Sequence, residues 1–325
     1  MKQKTVLCEV AFWKKFSECF PSLMPFPDEL AIENLKSWMD LYSFLLRSDV
    51  HFDCSDKQFI ELAEADERLR YLWKKSAGGE CVIDFSGEGF DSSHLEVSPL
   101  SVLLSESDRR IDANRFGIIN ITSENYSLKG ILFRESGFPL RHNQEWSWEE
   151  LSKVISKEMS NSLVIVDNYI LSTDGQFKKE NLEDNIFVIL QVLLPESCGM
   201  PFDLTVFYSE GNSANEERLC EYIKTIRPKL NVNLNIHKVS KNDFHDRTII
   251  SNNFWISAPG GFDLLKKKRF SGFYATKATT VSVWFPFFCS GNIQSADKSY
   301  SNLIQDARHA LEIRGLKPDN RLLKA

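Results

Sequence analysis

Hydrophobic positions return at helical spacing early in the chain. Behind Pro27-Asp28-Glu29, a proline and two acids suited to a first turn, come Leu30, Ile32, Leu35, Trp38, Leu41, Leu45 and Leu46, as far as Arg47-Ser48-Asp49. A second helical run starts at Ser55, passes Phe59, Leu62, Ala63 and Leu69 to Trp73, and ends at Ala77-Gly78-Gly79. Ahead of both, Thr5 to Phe12 is a short apolar strand or helix start, and prolines 21, 25 and 27 break what precedes them. Cys81 to Phe85 reads as a strand, followed by a Gly/Ser-rich loop to about Ser93. Pro99 to Leu104 is a further apolar piece, and Arg115 to Thr122 and Gly130 to Phe133 read as strands. Trp146 to Leu151 opens a helix, with Ser147 as N-cap and Glu150 three residues on.

From Leu163 the pattern becomes regular. Leu163 to Asp167 is a continuous apolar strand ending in an acid, and Glu183 to Leu194 is a helix or a buried strand. Leu204 to Tyr208 is a strand, Asn215 to Ile226 a helix, and Val232 to Val239 an alternating strand. Thr280 to Phe285 is a last strand, and Ser301 to Arg314 is amphipathic. Strands alternating with helices predict a sheet with helices packed on it. The expected fold class is therefore α+β in two parts: a mixed, unassigned domain over 1–155 and an α/β domain over 156–325.

Composition narrows the function classes. With 325 residues, two ordinary domains fit better than one. A net charge of −6 argues against a surface coated for nucleic acid, although a local basic groove is compatible with it. Seven cysteines form no C-x-x-C pair, which fits free thiols in a reducing compartment, and no Cys/His cluster suggests a structural metal. No stretch reaches the roughly 20 apolar residues that span a bilayer, and the N-terminus lacks a signal-peptide pattern. A soluble, cytoplasmic protein without cofactor is expected.

Chemistry concentrates between Phe244 and Lys268. His245 and Arg247 stand one residue apart, ahead of a β-like run, Thr248-Ile249-Ile250. Ser251-Asn252-Asn253, Phe254-Trp255, a Pro-Gly-Gly turn and the basic run Lys266-Lys267-Lys268-Arg269 follow. Cation, imidazole, amide and glycine are what a phosphate site uses. The plain alternative for Arg247 is a structural pair with an acid, and for the lysines a solvated face. Those lysines could instead form a basic rim for nucleic acid or an anionic lipid surface, with Lys238 and Lys241 extending it. Asp167, at a strand's carboxyl end, is placed either to meet a ligand or to cap the next turn. Glu9 with Asp84 could gather a metal as nuclease acids do, but they share no recognisable spacing.

His245-Asp246-Arg247, Ile249, Asn252-Asn253, Trp255, Gly261-Phe262-Asp263 and Lys266 together resemble a known block. It is that of the phospholipase-D-like C-terminal domain of MIT-domain-containing proteins and of related prokaryotic domains. Val164 to Tyr169 is similar to the strand ending in D-x-Y that opens such domains. The resemblance covers about Leu163 to Phe288. It implies a phospholipase-D-like α/β domain that recognises phosphate, with His245, Arg247 and Asn252 at the site. Against the H-x-K-x4-D motif of catalytic relatives, His245 keeps the nucleophile position, Arg247 takes the lysine position and Asn252 the aspartate position. The chain has a single H-x-[K/R] arrangement, and an arginine fork does not replace a lysine point charge. The resemblance thus implies binding rather than cutting, of nucleic acid, within an intracellular complex of the bacterial antiviral-defence kind with other proteins. The alternatives are a phosphodiesterase or nuclease in which a homodimer brings two His245 side chains together, and a platform for an anionic membrane.

Overall fold

The structure is a computed structural model. It describes residues 5–20, 29–87, 90, 101–106, 115–126, 138–140, 155, 160–172, 186–211, 213–244, 247–258, 262, 281–284 and 293–324. The chain divides into two compact units, Met1–Ser136 with Phe287–Gln294, and Gly137–Pro286 with Ser295–Ala325. The first therefore ends before residue 155 and regains a short later piece.

The first unit is an α/β layer built on a parallel sheet. Its elements are β1 (Thr5–Cys8), α1 (Val10–Glu18), α2 (Glu29–Leu45), β2 (Asp49–Phe52), α3 (Asp56–Ala65), α4 (Glu67–Ala77), β3 (Ile83–Phe85), β4 (Val102–Leu104) and β5 (Ile119–Ile121). The strand order is β3-β2-β1-β4-β5, every pair parallel. Val6, Cys8, Val50, Phe52, Val102, Leu104, Ile119 and Ile121 are all buried, as strands covered on a face require. Helices close over this layer through aromatic contacts: Phe52–Phe59 at 4.8 Å and Phe59–Phe85 at 5.4 Å between ring centres. Phe16 and Trp38 stack at 4.7 Å and join α1 to α2, and Trp38 Nε1 donates to Phe16 O at 2.8 Å.

Two expectations change here. Thr5 to Phe12 is both strand and helix, divided at Glu9. The run from Ser55 to Trp73 is two helices, because Asp66 takes an extended conformation (φ −120°, ψ 113°) and caps the second through Arg68 N at 2.8 Å. Asp66 also accepts Trp13 Nε1 at 2.9 Å. The apolar spacing continues across the break, so periodicity alone does not reveal it.

The second unit carries a mixed seven-stranded sheet. Its strands are β6 (Phe138–Leu140), β7 (Ser162–Val166), β8 (Phe202–Tyr208), β9 (Val232–Lys238), β10 (Thr248–Ser251), β11 (Trp255–Ser257) and β12 (Val281–Trp284), in the order β6-β12-β11-β10-β7-β8-β9. β7, β8 and β9 are parallel, and the pairs from β7 through β10, β11 and β12 to β6 are antiparallel. Helices α5 (Phe187–Leu193), α6 (Ser213–Ile226), α7 (Ile293–Glu312) and α8 (Arg321–Lys324) complete it. The ambiguous stretch near Leu190 is thus a helix, and the tail helix begins before residue 301.

α8 is tied to the sheet by polar side chains. Asn320 Nδ2 donates to Leu163 O at 3.0 Å and Thr205 Oγ1 at 3.2 Å, while Arg321 Nε meets Asp203 Oδ2 at 2.9 Å. The strand expected at Gly130 to Phe133 and the helix expected at Trp146 to Leu151 lie outside the described residues.

Candidate functional site

β7 is apolar from Leu163 to Val166 and buried along its whole length, which suits its place inside the second sheet. Its antiparallel register with β10 pairs Val166 with Thr248, so the next residues, Asp167 and Arg247, emerge side by side. Arg247 Nε lies 3.3 Å from Asp167 Oδ1, with 26% of the arginine side chain and 4% of the aspartate side chain exposed. Asp167 is held from two directions. Its N–H donates to Phe207 O at 3.1 Å, and its Oδ1 accepts the N–H of Tyr169 at 2.9 Å. The acid caps the turn after β7, and it also pairs with Arg247, the plain alternative for that arginine.

Tyr169, 39% exposed, joins two cations. The Arg247 guanidinium carbon is 5.3 Å from its ring centre and Lys241 Nζ is 5.1 Å away. Both distances suit cation–π attraction. Lys241 also pairs with Glu210, and that hydrogen bond raises the lysine's pKa above its ordinary value. The surrounding loops are pinned: Asn168 O accepts Ser209 N at 3.1 Å and Glu210 N at 2.8 Å, and Asn168 Nδ2 donates to Lys241 O at 3.4 Å. Gly211 is needed for close approach, because a Cβ there would sit 2.7 Å from Leu171 O. On the other side, Asp243 accepts Ser240 N at 2.8 Å and pairs with Arg314, just past α7, at 2.5 Å. Phe244 packs on Phe207 at 5.3 Å.

Arg247 and Asp167 thus stand together, with Tyr169 and Lys241 beside them. Asn252 does not join them. It follows the far end of β10, opposite the start of β7, and is fully buried. Its Oδ1 accepts Asn161 N at 3.0 Å. Ser251 Oγ accepts the N–H groups of Asn253 and Phe254, both at 3.0 Å, and Ser251 N donates to Phe254 O at 2.8 Å. Asn252 and Asn253 are therefore the tight turn between β10 and β11. The strand that separates Asn252 from Arg247 spans roughly 3.3 Å per residue, which places the two at opposite ends of β10. Spacing along the motif could not show this, because the turn is defined by pairing between strands.

His245, Asp246, Lys266, Lys267 and Lys268 lie outside the described residues, as do Gly261 and Asp263. Tyr169 and Lys241 are the residues that complete the arrangement. Lys241 had a signal in its charge near the H-x-R stretch, whereas Tyr169 stood only in the D-x-Y strand ending. Glu9 and Asp84 do not converge: Glu9 is buried beyond β1, and Asp84 is exposed in β3, beyond the intervening strand β2. Among the described residues no group of three or more His, Cys, Asp or Glu side chains could hold a metal ion, and no helix is long and apolar enough to cross a membrane.

No protein-family model matches the chain, and no curated protein matches it. Among solved structures it is similar to TrmBL2, an archaeal chromatin protein whose structure is described as showing a novel mode of DNA binding. The identity is 12% and the TM-score 0.24, over 53% of each chain, so the chain spans about half the length of that protein. Likeness at that level bears on neither fold nor function.

Proposed function

We propose that the second unit is a phosphate-recognising module that binds the backbone of nucleic acid without cleaving it. The observation that carries this reading is the cation pair beyond the carboxyl end of β7. Arg247, oriented by buried Asp167, and Lys241 flank the exposed ring of Tyr169. An arginine held in place meets a phosphate with charge-assisted hydrogen bonds, each contributing about 1.5–3 kcal/mol. The ring adds a surface on which a base can stack. The position of the block that resembles phospholipase-D-like domains, across β7, β10 and the turn after it, supports the same reading. Against cleavage stands the composition of the motif: an arginine replaces the lysine, and the asparagine in the aspartate position is spent in a buried turn. The setting we propose, from the resemblance alone, is an intracellular complex of the bacterial antiviral-defence kind.

The test is binding of labelled DNA, RNA and anionic vesicles to the full chain, with and without Arg247→Ala. Binding to nucleic acid that weakens by about tenfold or more in the variant agrees with the proposal. Unchanged binding to all three overturns it, and binding to vesicles alone replaces it with the membrane-platform reading. A phosphodiesterase assay on the same samples is expected to show no turnover, and turnover lost in His245→Ala would establish the enzyme instead.

A further inference from the structure

We infer a second ligand site in the first unit, a groove between α1 and the junction of α3 with α4, whose occupant is a free amino acid with an apolar side chain, held by Arg68, Lys14 and Glu67. The groove has a volume of about 480 Å³, inside the range of roughly 300–1,000 Å³ over which small-molecule sites fall. Asp66 shapes it. Its extended backbone ends α3 and opens α4, and its Oδ2 accepts Trp13 Nε1 at 2.9 Å, which ties α1 to the junction. Trp13 and Lys14 of α1, Leu62 from the last turn of α3, and Glu67, Arg68 and Leu69 from the first turn of α4 all face the same space.

The charges around this groove lack partners. Arg68 is half-buried, and its guanidinium carbon lies 4.9 Å from the ring centre of Phe20 and 5.0 Å from that of Trp38. Trp38 in turn stacks on Phe16, so the arginine rests against a fixed aromatic surface. Among the described residues no carboxylate pairs with it, and its one side-chain hydrogen bond, Nη1 to Ser17 O, is long at 3.4 Å. Lys14 and Glu67 are exposed, and neither makes an ion pair among the described residues. Asp66 differs from them, because Oδ1 accepts Arg68 N at 2.8 Å while Oδ2 serves Trp13. An unpaired charge on a solvated face is ordinary. An arginine held by two rings, with its fork unused and a groove beside it, is a prepared cation.

A guanidinium fork is matched by a carboxylate, which can accept two parallel hydrogen bonds from it. Lys14 adds positive charge at the same groove. Glu67 narrows the choice. A phosphate meets an opposing charge there, whereas a ligand that carries an ammonium beside its carboxylate finds both signs answered. Leu62, Leu69 and the Trp13 ring supply the apolar wall for an aliphatic or aromatic side chain. An α-amino acid combines these three features. Its zwitterion also adds no net charge to a lining in which Lys14 and Arg68 balance Asp66 and Glu67.

Calorimetric titration of the full chain with leucine, methionine, phenylalanine and tryptophan, each beside its amide and its N-acetyl derivative, tests this. At least one free amino acid is expected to bind with a Kd of about 1 mM or tighter. The amide lacks the carboxylate and the N-acetyl form lacks the ammonium, so each should bind about tenfold more weakly. Arg68→Met, which keeps an apolar stem against the rings, should weaken the free amino acid about tenfold. Glu67→Gln, at an exposed position, should weaken the free amino acid and leave the N-acetyl form unchanged. Should Arg68→Met fail to fold, the Trp13 indole N–H resonance of the unaltered protein carries the test with Glu67→Gln, and it should shift along the same saturation curve. Absence of binding by all four amino acids, derivatives that bind as tightly, full affinity in either variant, or a Trp13 resonance that does not move would each overturn the inference.

Discussion

Arg247 and Asn252, five positions apart in one motif, lie in opposite surroundings, and the difference is burial. Arg247 keeps a quarter of its side chain in solvent beside Tyr169, while Asn252 is enclosed and gives its oxygen to Asn161 N. Asn252→Ala should therefore lower stability by about 1–3 kcal/mol, because a buried N–H loses this acceptor. The folded fraction should bind nucleic acid as before. A denaturant midpoint together with an affinity measurement checks both halves, and lost affinity at unchanged stability would return Asn252 to the site. Glu106 makes a residue-scale prediction about pH. Burial pushes its carboxyl up, but hydrogen bonds from Lys15 and Ser123 outweigh this and hold it below the ordinary range. A carboxyl depressed in the folded state stabilises the fold above its unfolded pKa, and that contribution fades as pH falls through the folded value. Glu106→Gln should accordingly flatten the loss of stability on acidification below about pH 4.3, seen in denaturation curves across that range.

At the scale of elements, what was legible depended on whether local sequence or distant pairing decided the outcome. β7 was legible because a strand buried on both faces needs an unbroken apolar run, and Leu163 to Val166 supplies it. α2 was legible from its apolar spacing, and α3 from Ser55. That serine forms a capping box with Gln58: Gln58 N donates to Ser55 Oγ at 3.3 Å and Ser55 N to Gln58 Oε1 at 2.9 Å. Ser55→Ala should cost about 1 kcal/mol, a midpoint shift measurable by thermal or chemical denaturation, with binding untouched. The break at Asp66 was not legible, since its cause includes Trp13, 53 positions away. The turn at Asn252-Asn253 was hidden for a related reason. Two asparagines after an H-x-R stretch read as ligand groups until the pairing of β10 with β11 is known. α8 is similar, as Asn320 and Arg321 gain meaning only from their bonds to β7 and β8.

Across the whole molecule the sequence predicted two parts and mixed α and β structure, and the structure has both. The first part is more regular than its sequence, a five-stranded sheet parallel throughout, because its strands are three or four residues long and give periodicity little room. The net charge of −6 over the whole chain also bears on how the proposed module would meet a polyanion. Long-range attraction is weak, so binding must come from a few local cations and should fade as salt releases the advantage of displaced counterions. The measurement that bears most directly on the account is the salt dependence of single-stranded nucleic-acid binding, compared between the unaltered chain and Arg247→Ala. The account predicts affinity that falls linearly on a log–log plot, with a slope shallower by about 0.7 in the variant, one phosphate contact fewer. Identical affinities and identical slopes would contradict it.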